Sequence, residues 1–84
     1  MANIKQANKL TEANQSSEKL LTLIEALSMQ QDSVKLQEIA ALVSMNASTT
    51  LRFLAALEKK GFAVQDDTGR YSLTYKFCEI ADNI

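Results

Sequence analysis

The sequence predicts a mainly α-helical domain that carries one small β-hairpin. Apolar residues recur at helical spacing in the segments before Gly61, and they alternate with other residues on both sides of residues 66–69. Proline, which would interrupt helices, is absent. The chain has 84 residues, of which 46% are hydrophobic, and this suits one domain with a modest core.

The first helix is predicted to begin at Ser16 or Ser17, whose hydroxyl can cap the free amides of a first turn. Its apolar stripe, which runs to about Met29, consists of Leu20, Leu21, Leu23, Ile24 and Leu27. Residues 1–15 are polar and lack such a stripe, so they are predicted to form a flexible or weakly helical arm. Residues 34–36 suit one short strand.

Two further helices are predicted over residues 37–43 and 47–60, separated by a break at residues 44–46. Asn46 is a favourable N-cap for the third helix. At the other end of that helix, two lysines suit the negative pole of the helix dipole, and Gly61 suits a left-handed turn.

A β-hairpin is predicted from residues 62–65 and 70–73, joined by a turn in which Gly69 can adopt a positive φ angle. The side chains predicted to face inward are those of Phe62, Val64, Tyr71 and Leu73. Residues 75–84 suit a last helix, in which the lone Cys78 has apolar neighbours and is predicted to be a buried thiol. This order of elements predicts a winged helix-turn-helix, with a three-helix core, a hairpin wing and an extra C-terminal helix.

The second and third helices have the residues that a close crossing needs. Ala40 supplies a small side chain where two helices joined by a tight turn must approach. Apolar residues are predicted at the other contacts, namely Ile39, Val43, Met45 and Phe53. Two positions depart from the common pattern: Thr50 stands where a branched apolar residue is more usual, and Ser44 stands where glycine commonly turns the chain.

The third helix is predicted to have an outer face suited to the major groove of double-stranded DNA. At about 100° per residue, the apolar side is formed by Thr50, Phe53, Leu54 and Leu57. The opposite side is formed by Ser48, Arg52, Ala55 and Lys59, flanked by Thr49 and Leu51. Arginine can bond a guanine bidentately or hold a phosphate, short hydroxyls can donate to phosphates or bases, and leucine can touch a thymine methyl. An ordinary solvated face is the alternative interpretation.

The candidate DNA-binding site has further members outside this face. Asn46 and Ala47 lie at the start of the third helix, and Gln37 lies at the start of the second, where it can meet a phosphate. Arg70 lies on the wing and can meet a phosphate or enter a minor groove. The acidic pair at residues 66–67 argues against deep insertion of the wing tip.

The charge of the chain is unevenly distributed. A net charge of −1 is unusual for a protein that binds nucleic acid. Residues 47–62, however, carry Arg52, Lys59 and Lys60 against Glu58 alone. Since a polyanionic partner responds to the field on one face, the overall charge does not exclude DNA binding.

Three segments resemble the amino-terminal domain of IclR-type transcription regulators: residues 36–43 (LQEIAALV), 46–62 (NASTTLRFLAALEKKGF) and 69–74 (GRYSLT). Residues 48–54 match the Ser-Thr-x-x-Arg-x-Leu core of that family's recognition helix. Residues 71–73 match the Tyr-x-Leu of its wing. The likeness covers about residues 17–81, which is most of the chain.

The resemblance implies a DNA-binding domain over residues 16–74, with the recognition helix at 47–60 reading an operator in the major groove. It also implies a homodimer or tetramer of full-length chains that represses or activates a catabolic operon. A small-molecule effector would bind only a larger C-terminal domain beyond this segment, and residues 75–84 would begin the linker helix to it. Asn46-Ala47 replaces the family's usual Pro-Lys, and Leu51 stands where a polar residue is frequent, so details of the DNA contacts should differ.

Other classes of protein fit poorly. With no histidine, two glycines and one cysteine, the chain lacks the residues of a catalytic triad, a phosphate loop or a zinc site, so we predict no enzyme, cofactor or metal. No apolar stretch approaches the ~18–20 residues of a membrane span, and no signal peptide precedes the domain, so a cytoplasmic location is expected. The alternative function is a winged helix that serves as a protein–protein interaction module.

Overall fold

The computed structural model describes the backbone of residues 4–84 and the side chains of residues 14–84. Its elements, in chain order, are α1 (Ile4–Ser28), α2 (Leu36–Leu42), α3 (Ala47–Lys59), β1 (Ala63–Gln65), β2 (Tyr71–Leu73) and α4 (Lys76–Asp82). The predicted winged helix-turn-helix is confirmed. From α2 to β2, each element begins and ends within one residue of its predicted position.

Helix α1 begins much earlier than predicted. It starts at Ile4, so the prediction of a start at Ser16 or Ser17 is wrong, and both serines lie inside the helix. The preceding segment contains no glycine or proline and is rich in Lys, Gln, Ala and Glu, so nothing in it stops a helix. Residues 1–3 of the predicted arm lie outside the described residues. The division of the chain into arm, domain and linker stays a prediction.

One core forms where α1, α2, α3 and the hairpin meet. Leu23, Ile39 and Leu54 are 0% exposed. The other buried residues are Leu27, Val34, Ala40, Thr50, Leu57, Ala63 and Tyr71. Helices α1, α2 and α3 and both strands each contribute at least one of them, whereas α4 contributes none, so the core joins the wing to the first three helices.

Helices α2 and α3 form the helix-turn-helix. Their axes differ by 108°, which lies within the usual range of about 90–120° for this motif. Among the described residues, no single helix is long and apolar enough to cross a membrane, and this bent pair meets the requirement only when its two helices are taken together.

The wing is a two-stranded antiparallel sheet extended by a single bridge. Residues 63 and 73 pair, as do residues 65 and 71. Of the predicted strand at residues 34–36, only Val34 is paired. It exchanges two backbone hydrogen bonds with Tyr71, of 2.9 and 2.7 Å. The bridge ties the wing to the segment that precedes α2.

The inward face of β1 differs from the prediction. Ala63 is 5% exposed whereas Val64 is 50% exposed, so the prediction that Val64 faces inward is wrong. Tyr71 and Leu73 occupy the inner face of β2 opposite Gln65 and Ala63. A small residue beside these large side chains fits the core, and the pleat then turns Val64 outward.

Helix α3 ends at a glycine-based cap. Gly61 has a φ of 83°, as predicted, and the N–H of Phe62 donates to the carbonyl of Leu57 at 2.7 Å. The N–H of Gly61 itself donates to the carbonyl of Glu58 at 3.0 Å. These two bonds satisfy carbonyls that the end of a helix would otherwise leave unpaired.

Helix α4 packs on the end of α3 through few side chains. The rings of Phe77 and Phe62 lie 4.8 Å apart. The Lys76 ammonium lies 4.8 Å from the centre of the Phe62 ring and donates to the carbonyl of Lys60. Cys78 is exposed, so the prediction of a buried thiol is wrong. A helix of seven residues that packs through one side leaves its other residues in solvent, whatever their polarity.

Candidate nucleic-acid interface

Helix α3 presents one face to the core and the opposite face to solvent. Thr50 and Leu54 are 0% exposed and Leu57 is 6% exposed. The predicted outer residues are all exposed, namely Ser48, Arg52, Ala55 and Lys59. The two faces predicted from helical spacing are therefore confirmed, and the polar face is accessible to a partner.

The start of α3 is held by Asn46 and Thr50. The side-chain oxygen of Asn46 accepts a hydrogen bond from the N–H of Thr49 at 2.7 Å, which confirms the predicted N-cap. The buried hydroxyl of Thr50 donates to the carbonyl of Asn46 at 2.9 Å. This bond explains how a polar residue occupies a core position: its hydroxyl is satisfied by the same helix.

The turn between α2 and α3 repeats the cap geometry of Gly61 with a serine in place of the glycine. Ser44 has a φ of 55°. The N–H of Met45 donates to the carbonyl of Ala40 at 3.0 Å, and the N–H of Ser44 donates to the carbonyl of Ala41 at 3.2 Å. A left-handed conformation costs a residue with a Cβ atom about 1 kcal/mol or more. The tight turn that orients α3 is therefore formed in spite of this local strain.

The charged residues of α3 occupy different sides of the helix. Arg52 and Lys59 lie two turns apart on the exposed face. The Glu58 carboxylate lies close enough to Tyr71 that it adds to the effect of burial and raises the pKa of the Tyr71 phenol. By helical spacing Glu58 lies about 120° around α3 from Arg52, so the charged residues of the outer face are the cations Arg52 and Lys59.

The wing tip is organised around the carboxylate of Asp66. Its Oδ1 accepts hydrogen bonds from the Thr68 hydroxyl at 2.6 Å, the Thr68 N–H at 2.9 Å and the Arg70 N–H at 3.0 Å. Its Oδ2 accepts from the Ser33 hydroxyl at 2.8 Å. The Thr68 hydroxyl bond and the others together hold the pKa of Asp66 well below its usual range.

The candidate site residues form one group with two outlying members. Seven lie at the cap of α3 or along its exposed or half-exposed surface. They are Asn46, Ala47, Ser48, Thr49, Leu51, Arg52 and, nearer the helix end, Lys59. Gln37 is exposed in the first turn of α2, whose N-cap residue makes no side-chain hydrogen bond. Arg70 is half-buried where the wing turn ends. Contact of these residues with DNA stays a prediction.

Two features of the wing are not predicted by the sequence. Ser33 holds the wing tip from a position 33 residues before Asp66. Nothing local in the sequence signals a contact of that separation. Val64 is exposed on the outer side of the wing. Its exposure follows from the pairing of β1 with β2, which places Ala63 inside, and β1 alone does not reveal that pairing.

Comparisons with known proteins agree with this geometry. The sequence profile of the IclR helix-turn-helix domain matches residues 16–67. The crystal structure of Pseudomonas aeruginosa HmgR is similar, with 35% identity and a TM-score of 0.73 over 81% of this chain and 28% of that one. A transcriptional regulator of the IclR type from Alicyclobacillus acidocaldarius has 28% identity and a TM-score of 0.75 over the same shares. Thermotoga maritima IclR, at 24% identity and a TM-score of 0.64 over 88% of this chain and 28% of that one, shares the fold.

A search of curated proteins gives no match. The chain spans 28% of the length of the two more similar solved proteins. The profile match covers well over half of the chain and includes α2, the turn and the whole of α3. With its helix-turn-helix, its wing and these matches, the chain belongs to the IclR family of DNA-binding transcription regulators.

Proposed function

We propose that this domain reads a specific operator sequence in double-stranded DNA by inserting α3 into the major groove. The observation that carries the proposal is the division of α3 into a buried face, which includes Leu54 and Leu57, and an exposed face centred on Ser48 and Arg52. A recognition helix needs both, because it must be held rigidly from behind while its front meets base edges.

The shape of the exposed face supports groove entry. Ala47, Ser48 and Ala55 are small, so the long side chain of Arg52 stands among low neighbours on the front of the helix. The major groove of B-DNA is about 12 Å wide and admits a helix whose leading side chains are slim. Arg52 is then the residue that can reach a guanine edge through two hydrogen bonds, with Ser48 and Thr49 donating to a base or phosphate.

The position of the cations supports binding to a polyanion. Lys59 lies two turns after Arg52 on the same exposed face, where it would meet a phosphate as α3 leaves the groove. Glu58 follows Arg52 at a spacing that places it about 120° away around the helix, off the face that carries both cations. A domain of net charge −1 can thus offer DNA a positive front.

Residues outside α3 would complete the interface at the DNA backbone. The side chain of Gln37 and its amide, in the first turn of α2, are proposed to meet one phosphate. Arg70 is proposed to meet another from the wing. Asn46 would contribute from the helix cap, although its oxygen already accepts the Thr49 N–H. These contacts position the domain, whereas the face of α3 provides the sequence preference.

We propose that the whole protein is a homodimer or tetramer in which two domains read two half-sites. Linking two weak heads raises the effective concentration of the second and strengthens binding without any new contact. A small-molecule effector would act on another domain, since the matched region makes up only 28% of each of these solved relatives. Such a regulator of a bacterial operon would work in the cytoplasm.

The proposal is tested by selecting bound sequences from a random duplex library and measuring the affinity of the enriched sequence against salt. We expect one enriched motif, with an affinity that falls steeply as salt rises, by a slope of roughly −0.9 per neutralised phosphate. The Lys19→Ala variant, which removes an exposed cation from α1, serves as the control and should keep the same slope.

A protein-interaction module would give a different result. Its apolar interface would respond little to salt, and the library would yield no enriched motif. Absence of enrichment, together with salt-insensitive binding to a protein partner, would contradict the DNA-reading function.

A further inference from the structure

Leu51 is an exposed apolar side chain on a helix that otherwise shows small or polar groups to solvent. It is 44% exposed and is the only large hydrophobic residue of α3 that is exposed, α3 lying wholly within the described residues. One turn before it is Ala47, and one turn after it is Ala55, both exposed. The residues of α3 that lie four positions before and after Leu51 on the helix surface therefore both have short side chains.

The position of Leu51 differs from that of the other exposed leucine in the helix-turn-helix. Leu42, which is 60% exposed, lies in the last turn of α2. Leu51 lies on α3 one residue before Arg52 and one turn after Ala47, on the edge of the face that we propose enters the groove. A surface that reads DNA places its apolar side chains against apolar atoms of the duplex, because leucine cannot satisfy a base's donors or acceptors.

The apolar atom that the major groove offers is the 5-methyl group of thymine. We propose that Leu51 contacts such a methyl group within one or two base pairs of the base that Arg52 reads, and so selects thymine at that position. One helical turn rises about 5.4 Å, while successive base pairs are about 3.4 Å apart, so neighbouring side chains of α3 reach neighbouring base pairs. This inference rests on the proposed function and adds a residue that determines its sequence preference.

The chemistry of the groove makes the preference selective. At a cytosine, Leu51 would cover an amino group that donates hydrogen bonds, and at a purine it would cover a ring nitrogen that accepts them. Either polar group would lose its bound water without gaining a hydrogen-bond partner. Uracil presents the same polar atoms as thymine and lacks only the methyl group, so it isolates the contact that we propose.

The experiment uses the motif selected from the random library. Each thymine of that motif is replaced in turn by deoxyuridine, and the affinity of the chain is measured by fluorescence anisotropy. At one position we expect the affinity to fall about fourfold, which is the factor for burial of one methyl group. The Leu51→Ala variant should bind thymine and uracil equally there, whereas Leu42→Ala should keep the wild-type discrimination.

The outcomes separate this inference from the function on which it rests. A motif that is enriched but insensitive to uracil at every thymine overturns the role of Leu51 and leaves DNA reading intact. If the Leu51→Ala variant still loses fourfold affinity when thymine is replaced by uracil, the role of Leu51 is also overturned, since another residue then reads the methyl group. If Leu51→Ala abolishes self-association and leaves all DNA affinities unchanged, Leu51 contacts protein instead. Failure to enrich any motif overturns both proposals. Thermal unfolding of each variant checks that the fold is retained.

Discussion

The buried and exposed faces of α3 can be compared within a single helix. On the inner face, Leu54 has no solvent exposure, and its size and shape are dictated by α1, α2 and the wing. On the outer face, Arg52 and its neighbours Ser48 and Ala55 are exposed to solvent. Stability and recognition therefore depend on different residues, although these alternate along thirteen consecutive positions. Substitutions should affect one property or the other.

The largest effect is expected at the centre of the inner face. Leu54→Ala should lower the free energy of unfolding by about 2–5 kcal/mol, because it removes buried methyl groups and leaves a cavity. Urea denaturation followed by circular dichroism measures this change. Leu51→Ala makes the same substitution on the exposed side and should cost no more than about 0.5 kcal/mol. Equal losses for the two variants would refute the division of the helix into faces.

On the outer face, Arg52→Ala should do the reverse. We expect its affinity for the selected operator to weaken by about 1–3 kcal/mol, while its unfolding free energy changes by about 0.5 kcal/mol or less. Arg52→Lys keeps the charge but loses the bidentate geometry, so it should bind with intermediate strength. Titration by anisotropy against the selected sequence decides the matter. A variant that binds the operator as tightly as the wild type would remove Arg52 from the interface.

Asn46 lies where the two faces meet, so two substitutions can separate its roles. Asn46→Ala should cost about 1 kcal/mol of stability, since the N–H of Thr49 loses its cap. Asn46→Asp keeps an oxygen that can accept this bond and should preserve stability, but its negative charge at the front of α3 should weaken DNA binding. Parallel unfolding and binding measurements test both. If Asn46→Asp bound DNA as the wild type does, the cap would lie away from the phosphates.

The smallest effect concerns the wing and pH. Since the folded pKa of Asp66 lies below its unfolded value near 3.8, its hydrogen bonds stabilise the fold above that pH, and this contribution is lost as the pH falls further. Asp66→Asn should therefore be less stable than the wild type near pH 6, with a gap that narrows toward pH 3. Unfolding by urea across this range measures the gap. Asp67→Asn removes the neighbouring charge without touching these bonds and should show no such convergence.

Local chemistry made much of this fold predictable. The cap at Asn46, the glycine turn at Gly61 and the spacing of Leu54 and Leu57 each act within a few residues, so the bounds of α3 followed from the sequence. The exposed face of α3 followed from the same spacing. Its candidate site residues could therefore be named from the sequence, although their contacts with DNA remain to be measured.

Contacts between distant segments could not be predicted in the same way. The start of α1 was misplaced because its polar first half has helix-favouring residues but no apolar stripe to mark it. In β1, both Ala63 and Val64 can face inward by alternation, and only the side chains of β2 decide between them. Cys78 was misassigned because a short helix on the surface leaves apolar residues exposed.

The hydrogen bonds around Asp66 have a thermodynamic consequence for any ligand of the wing. Turns of this kind commonly lose conformational freedom when a partner binds, at about 1–2 kcal/mol for each residue that becomes ordered. Here Thr68, Arg70 and Ser33 are already joined through one carboxylate, and Val34 anchors the sheet behind them. The wing is thus preorganised, so most of that entropy is lost during folding and little remains to oppose association.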